Sequence, residues 1–518
     1  MKNDFSQQIN VEKQKKAVEH CVLLGGLKWL HAIDFDPSSR SFGVADREYW
    51  GWKTKDFANA TWQGGIAGFL DTHEQLNLSK ESVIKIVRAT VHGMKTLQRR
   101  NGSFEEAYPW ESSACVTGLI VFNLLYAFYV YPHYFDSSLY KVIKDIIKRS
   151  FQFLDKTRET HGLIANHLAT IIFAKRMARR FLGIVENNEE LDHFLMFQHS
   201  KEGWFPEYGG PDPGYQTLLN HYVLAGAYAL KELHLIIPTL KKSLDFISLF
   251  CFPDGSYGGE IGTRGTSIVY PSGFLLMEEQ GSLKEFRESE WFLCQHQGSL
   301  DAVTPLTVDG PNFTPVFNSW AFFSKISLKG SHSSHNLLHK EPLREEIFLA
   351  DAGIFLKKSK NAFIALSLRN ACVRKGLQKD AGTWTDESLV GLTCKGWTTQ
   401  GASVENFEHK ENKLSWSYQA IKRKQVLNTP GKHVILRLVS MILFPFPMLQ
   451  RVLKKSLVSY VMRPCKTRSS SLVANIDLND PMLTLKIQNN GYEVWEAHAF
   501  GFHQHMASAN TFAQRQIS

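Results

Sequence analysis

The chain has 518 residues, 43% of them hydrophobic and 21% charged. That exceeds one ordinary domain, supplies a large core and excludes wholesale disorder. The net charge is +9, and the seven cysteines, at 21, 115, 251, 294, 372, 394 and 465, form no CxxC pair, which argues against a structural zinc finger or a disulfide framework.

The opening MKNDFSQQINVEKQKK is polar and charged. The apolar CVLLGGLKWL that follows is short and lacks a small-residue cleavage pattern, so no signal peptide is expected. With scattered cysteines this predicts a cytoplasmic, reducing setting. From Asp46, DREYWGWKTKDFANATWQGG is rich in Trp, Tyr and Lys. Such residues stack on sugar faces and meet carboxylates, although helix packing is the commoner use of tryptophan.

Through residue 300, helical patterns alternate with glycine-aromatic loops. Four loops look alike: RNGSFEEAYPWESSACVTGLIVFNLLYAF from Arg100, THGLIANHLATIIFAKRMA from Thr160, EGWFPEYGGPDPGYQTLLNHY from Glu202 and PDGSYGGEIGTRGTSIVYPSGFLLM from Pro253. Their glycines, Gly102, Gly162, Gly203 and Gly255, fall at intervals of 60, 41 and 52. One helical hairpin fits each interval, and repeated hairpins close into a ring or stack into a solenoid. In a ring, the loops before the inner helices line one mouth.

After residue 300 the texture changes. VTPLTVDGPNFTPVFNSWAFFSKISLKG, EIFLADAGIFLKKSKNAFIALSLR and KLSWSYQAIKRKQVL alternate with period two between turn residues. They predict an antiparallel β-sandwich. The expected division is an α/α toroid over 1–300 and a β-sandwich over 301–518, with the boundary between 290 and 312. From Lys422 to Arg468 there are eleven Lys or Arg and no Asp or Glu. The apolar VSMILFPFPML inside this segment is too short to span a membrane. Two readings stand: peripheral contact with an anionic membrane surface or polyanionic glycan, or two core strands with solvated lysines. The last residues, HMASANTFAQRQIS, read as a loose tail.

The polar residues of the predicted mouth are Glu105, Glu106, Trp110 and Glu111, then Asn166 and His167, then Glu207, Tyr208 and Tyr215, then Glu260 and Arg264. The sandwich adds His332, His335, His339 and Asp351. No G-x-S-x-G, Walker loop or Rossmann glycine pattern occurs in a fitting context. Asn, His, Tyr and Arg around a long cleft suit removal of a proton next to a carboxylate. The C5 hydrogen of a uronic acid is weakly acidic because the carboxylate is already negative. Asn or Arg must offset that charge as the enolate forms, and a His or ionised Tyr must reach C5 as base. Protonation of the C4 oxygen then completes β-elimination, whereas return of a proton to the opposite face gives an epimer.

IANHLA, the PGYQ of EYGGPDPGYQT, and GSHSSHNLLH followed by FLADAG resemble the heparinase II/III-like polysaccharide lyases and the related alginate lyases. The order is the same, over roughly residues 40 to 430. That resemblance implies a toroid followed by a sandwich. It implies that Asn166 neutralises the uronate carboxylate, that His167 is base or its partner, and that Tyr215 is the acid and also a candidate base. It assigns His335 to the cleft or, with Asp351, to a zinc or other divalent cation; no further cofactor is expected. Arg264, Glu207, Tyr208, Trp110 and Glu260 are the expected substrate-binding residues. The chain departs from the pattern in reading His-Ser-Ser-His-Asn, one residue wide, with Asn336 where an Asp is usual and a GGPD insertion before Tyr215. His409 is the remaining candidate for a second sandwich ligand. The expected partner is an anionic polysaccharide or a lipid-linked oligosaccharide, without nucleic acid. A C5-epimerase of capsule or O-antigen synthesis and a non-catalytic glycan-binding protein are the alternatives.

Overall fold

A computed structural model describes residues 2–51, 55–157, 163–185, 187–266, 268–277, 283–285, 303–327, 346–359, 361–380, 383–389, 391–422, 429–461, 466–499 and 515–516; for 2–14, 283–285, 327, 447, 458–461, 498–499 and 515–516 only the backbone is considered. The helices are α1 Lys2–His31, α2 Arg47–Trp50, α3 Ile66–Thr72, α4 Lys80–Leu97, α5 Ala114–Val130, α6 Ser137–Lys156, α7 Ala165–Leu182, α8 Glu189–Leu195, α9 Pro213–Leu230, α10 Ile237–Ser248, α11 Gly310–Ser327, α12 Pro430–Leu443 and α13 Pro447–Val461.

Two kinds of helix recur in the N-terminal part. In α4 and α6 one stripe is apolar: Val83, Val87, Val91 and Met94, and Leu139, Ile143, Ile146, Ile147 and Leu154, are buried. Such helices lie between core and solvent. By contrast α5 is buried throughout Val116–Ala127, and α9 is buried at all but a few positions, so both run inside. Ser113 caps α5 by accepting from Val116 N at 3.3 Å, and Asp136 caps α6 by accepting from Leu139 N at 3.0 Å. In contact order α3 meets α5, α5 meets α7, α7 meets α9, α9 meets the short turn Pro271–Phe274, that turn meets α11, and α11 returns to α3.

Two of the four repeated glycines share one job; Gly162 lies outside the described residues. Gly102 (φ +90°) and Gly203 (φ +79°) sit in the left-handed region. A Cβ on Gly102 would stand 2.2 Å from Arg149 O in α6, and one on Gly203 would stand 2.3 Å from Lys242 O in α10. A glutamine seals each joint. Gln98 Nε2 donates to Ile146 O at 2.9 Å and Ser150 Oγ at 2.9 Å; Gln198 Nε2 donates to Thr239 O at 2.9 Å and Gly203 O at 3.0 Å.

The C-terminal part is antiparallel sheet. A two-stranded piece joins β1 Leu276–Met277 to β2 Leu283–Glu285. A five-stranded meander runs β3 Glu346–Leu349, β4 Ile354–Lys358, β5 Ala362–Ser367, β6 Cys372–Asp380 and β7 Thr383–Asp386. An eight-stranded sheet takes β8 Gly391–Cys394, β9 Trp397–Thr398, β10 Val404–Lys410, β11 Lys413–Lys422, β12 Thr467–Asp477, β13 Leu485–Asn489, β14 Glu496–Ala499 and β15 Arg515–Gln516. The central strands of the meander, β4, β5 and the first part of β6, are buried on both faces. Phe363, Ala365 and Ile354 join the core of the helical part, whereas Ile364, Leu366 and Phe355 share a second core with Leu414, Trp416, Tyr418 and Leu472 of the larger sheet. In β11, with one wet face, burial alternates along Leu414, Trp416, Tyr418 and Ala420.

Two expectations are corrected. The stretch 310–327, expected as strand, is helix α11, and it packs with α1 and α3. Burial is continuous from 313 to 324, as in a helix enclosed on all sides by the core, so the short runs of alternation carried no strand signal. The basic segment, for which core strands were one reading, forms α12 and α13 instead. Their apolar side chains lie mostly outside the core.

Candidate functional site

The site is built at the start of two adjacent inner helices, α7 and α9. Asn166 lies in the first turn of α7, but Ile164 occupies the cap position and no side chain caps this helix. The buried Asn166 amide instead donates from Nδ2 to Glu207 Oε2 at 3.0 Å. The backbone brings them together: Ile164 and Glu207 form an antiparallel bridge, and Ala165 N donates to Pro206 O at 3.3 Å. Glu207 is itself pinned by Glu207 N donating to Gly210 O at 2.7 Å and by Thr263 Oγ1 donating to Glu207 O at 2.6 Å. The glycine-proline loop is therefore a scaffold, buried at Glu207, Gly210, Pro211 and Asp212.

Asp212 begins α9. Its Oδ1 accepts from Tyr215 N at 2.9 Å and its Oδ2 from Arg264 N at 2.8 Å. One carboxylate thus orders the turn bearing Tyr215 and the loop bearing Arg264. Pro213 at the first helical position suits this start. The Arg264 guanidinium lies 4.4 Å from the centre of the Tyr208 ring, within cation–π range. Tyr208 is held at φ +54°, an uncommon conformation for a bulky residue.

The electrostatics follow from burial. Burial pushes the Glu207 carboxyl up from its ordinary 4.5 to about 8; the His167 charge pulls it down, Asp212 raises it, and Asn166 and Arg264 lower it. Burial likewise pushes Asp212 up to about 6, against the backbone donors that favour its ionised form. Tyr215 keeps part of its surface open. Desolvation still raises its hydroxyl well above 10, helped by Tyr270 and Glu207 and opposed by Arg264. Near neutral pH the site therefore holds a protonated carboxyl, a protonated phenol and a permanent cation. Half-buried His167 is close enough for its charge to act on Glu207.

Asn166, His167, Glu207, Tyr208, Tyr215 and Arg264 thus converge. Glu260 turns elsewhere: its buried carboxyl, pushed up to about 7 by burial, faces Arg374 of β6 at 3.5 Å. Arg374 also meets Asp254 at 3.6 Å and Asp386 at 3.2 Å. Glu260 thereby ties the helical part to the meander. Trp110, at φ +61°, donates its backbone N–H to Glu105, and its ring lies 5.6 Å from the Arg99 guanidinium. Its role there is to shape its own loop. His335, with its neighbours His332 and His339, lies outside the described residues.

Asp351 meets partners that the sequence reading did not select. With His199 and Glu202 it forms a group whose ligand atoms lie within 4.8 Å. The donor chemistry does not fit a metal. His199 Nδ1 accepts from Glu202 N at 3.1 Å, so its Nε2, 3.4 Å from Asp351 Oδ2, carries the proton of the neutral ring. Glu202 Oε2 accepts from Trp204 Nε1 at 2.7 Å and Ala352 N at 2.9 Å, and Oε1 accepts from Asp351 N at 3.1 Å. This is a clamp between the third loop and the turn after β3. His409, the other candidate ligand, faces Glu346 at 3.3 Å on the sheets.

Asp212 also belongs to the site, and Tyr270 is near enough to raise the Tyr215 hydroxyl, though neither was selected. Asp212 carried a visible signal, an acid two residues before a glycine at a helix start. Tyr270 carried none, because it sits mid-loop and reaches the group only through the fold.

No family model, curated protein or solved structure matches this chain.

Proposed function

We propose that the protein is a polysaccharide lyase of the heparinase II/III-like kind, acting on a glycan that contains uronic acid. The observation that carries this reading is the convergence of Asn166, His167, Tyr215 and Arg264 around buried Glu207. The closed circuit of inner-helix contacts and the two antiparallel sheets suit the toroid-and-sandwich architecture that goes with that activity.

The residues divide the work as follows. Arg264 and the Asn166 amide offset the uronate charge as the enolate develops. Glu207, protonated near neutral pH, fixes the amide without adding a competing negative charge. His167, in its neutral form, takes the C5 proton. The electron pair of that C–H bond becomes the C4–C5 double bond as the C4–O bond breaks. Tyr215, kept protonated, gives its proton to the departing C4 oxygen. One fragment then ends in an unsaturated uronate and the other in a hydroxyl.

Replacing Tyr215 by Phe removes the acid and leaves the helix start intact, because Asp212 binds the Tyr215 backbone rather than its hydroxyl. The expected result is a loss of turnover of about 10²–10⁴-fold with glycan binding retained, read by steady-state kinetics beside calorimetric titration. A variant with unchanged turnover would remove Tyr215 from the chemistry. Equal loss of binding and turnover would favour a binding module.

A further inference from the structure

Helices α12 and α13 form a hairpin set against the helical part, outside both sheets. Arg437 makes a two-pronged pair with Asp56, at 2.7 and 2.8 Å. Ser440 Oγ donates to Pro109 O at 3.1 Å, and Lys454 Nζ donates to Glu111 Oε1 at 3.2 Å. Gln450 Nε2 donates to Ser440 O at 2.8 Å and ties the two helices together. The hairpin thus rests on the first glycine loop, the loop that carries Trp110.

Its inner face is held by these contacts. The outer face is not what water favours. Val434, Ile435, Leu438 and Ile442 are 56%, 63%, 51% and 62% exposed. At 100° per residue they fall on one narrow stripe of α12, opposite the buried Ser440. Phe446, between the helices, and Met448 and Val452 of α13 are also exposed, at 56%, 74% and 58%. Contiguous exposed apolar surface marks a contact site. The rim is basic: Lys432, Arg451 and Lys455 are exposed, and the surrounding 422–468 segment has eleven Lys or Arg and no acid. No helix of the described residues is long and apolar enough to cross a membrane. An apolar stripe bordered by cations on a surface helix is the pattern of shallow insertion, about 5–10 Å deep.

We propose that the α12–α13 hairpin seats this protein on an anionic bilayer surface, its apolar stripe among the acyl chains and its lysines and arginines at the headgroups. A soluble polyanionic glycan would account for the cations but leave the stripe in water. The one-sided charge favours an anionic leaflet over a second copy of the chain, whose identical basic rim would repel it. The seat rests on Pro109 and Glu111, so it would hold the first glycine loop at the membrane surface, as a membrane-tethered glycan substrate requires. The seat itself stands apart from the chemistry assigned to Tyr215.

The test is sedimentation of the full chain with vesicles of phosphatidylcholine, with and without phosphatidylglycerol, at low and high salt. The protein should sediment with the phosphatidylglycerol vesicles at low salt and largely stay in solution with phosphatidylcholine alone. Lys455→Ala should weaken binding about fivefold. The combined change Ile435→Ser, Ile442→Ser, Met448→Ser should weaken it tenfold or more, with an unchanged circular dichroism spectrum and melting temperature because all three side chains are exposed. Wild-type protein remaining in solution with phosphatidylglycerol vesicles would overturn the proposal. So would a triple variant that sediments as wild type does, or a vesicle-free wild-type dimer that the triple variant converts to monomer, which would give the stripe to a second copy. Vesicles carry no glycan, so a failure here leaves the lyase reading standing, and failure of that reading leaves the seat standing.

Discussion

Glu207 is where one residue links stability to pH. Its folded carboxyl titrates near 8 and its unfolded one near 4.5. Between those values the folded chain binds more protons than the unfolded chain, so stability falls as pH rises. Asp212 acts with the same sign up to about 6 and Glu260 up to about 7. Each group can contribute at most about 1.4 kcal/mol per pH unit within its window. The melting temperature should therefore fall between about pH 5 and pH 8, and Glu207→Gln should flatten the upper end of that fall, since a glutamine can still accept from Asn166. A variant with the wild-type slope would mean that Glu207 is hydrated and ionised. At this scale the sequence was partly legible. Asn166, His167 and Tyr215 stood out because polar groups rarely cluster beside glycine at the start of apolar runs. Glu260 did not reveal its partner, because Arg374 is distant in sequence and reaches it only when the meander packs on the helices.

At the scale of elements, the glycine loops were the most legible feature, because a left-handed backbone in close contact leaves few substitutes. The contrast between two left-handed glycines tests how much of the requirement is crowding. Gly203 meets Lys242 O at 2.3 Å from an ideal Cβ, whereas Gly183, ending α7 at φ +70°, has nothing within 4 Å. Gly183→Ala should cost about 1 kcal/mol, and Gly203→Ala about 3 kcal/mol or more, since α10 must shift to admit the methyl group. Urea titration of both variants measures the difference; equal losses would show that the joint is loose. Helix α11 was illegible for the opposite reason. Apolar residues are so dense along 313–323 that short windows match both periods, and burial is continuous from 313 to 324, so it shows no face either. For the basic segment the sequence left two readings open, exposed apolar residues among cations or buried core strands, and the exposed apolar residues of α12 and α13 exclude the second.

At the scale of the molecule, one core joins the helices to the meander and a second joins the meander to the larger sheet. Polar ties follow the same seam. Arg369 Nε donates to Ala352 O at 3.0 Å and Arg369 Nη1 to Gly209 O at 3.3 Å, beside the Glu202 clamp. The meander thus buttresses the loop carrying Glu207 and Tyr208, which explains how a glycine-proline connector can hold its side chains in place. That helices would come first and sheets later was readable from the change of period; that the sheets would brace the loop carrying Glu207 and Tyr208 was not, because the bracing contacts join residues far apart in the chain. The central claim is that this braced cluster removes a C5 proton. Incubating the protein in heavy water with a panel of uronate polysaccharides, while following ultraviolet absorbance and deuterium at C5 together, tests it most directly. The account predicts new absorbance from an unsaturated uronate on at least one substrate, lost in Tyr215→Phe. Deuterium incorporation without absorbance would replace elimination by epimerisation at the same site. Neither signal on any heparan-type, alginate or capsular glycan that the protein binds would contradict the claim.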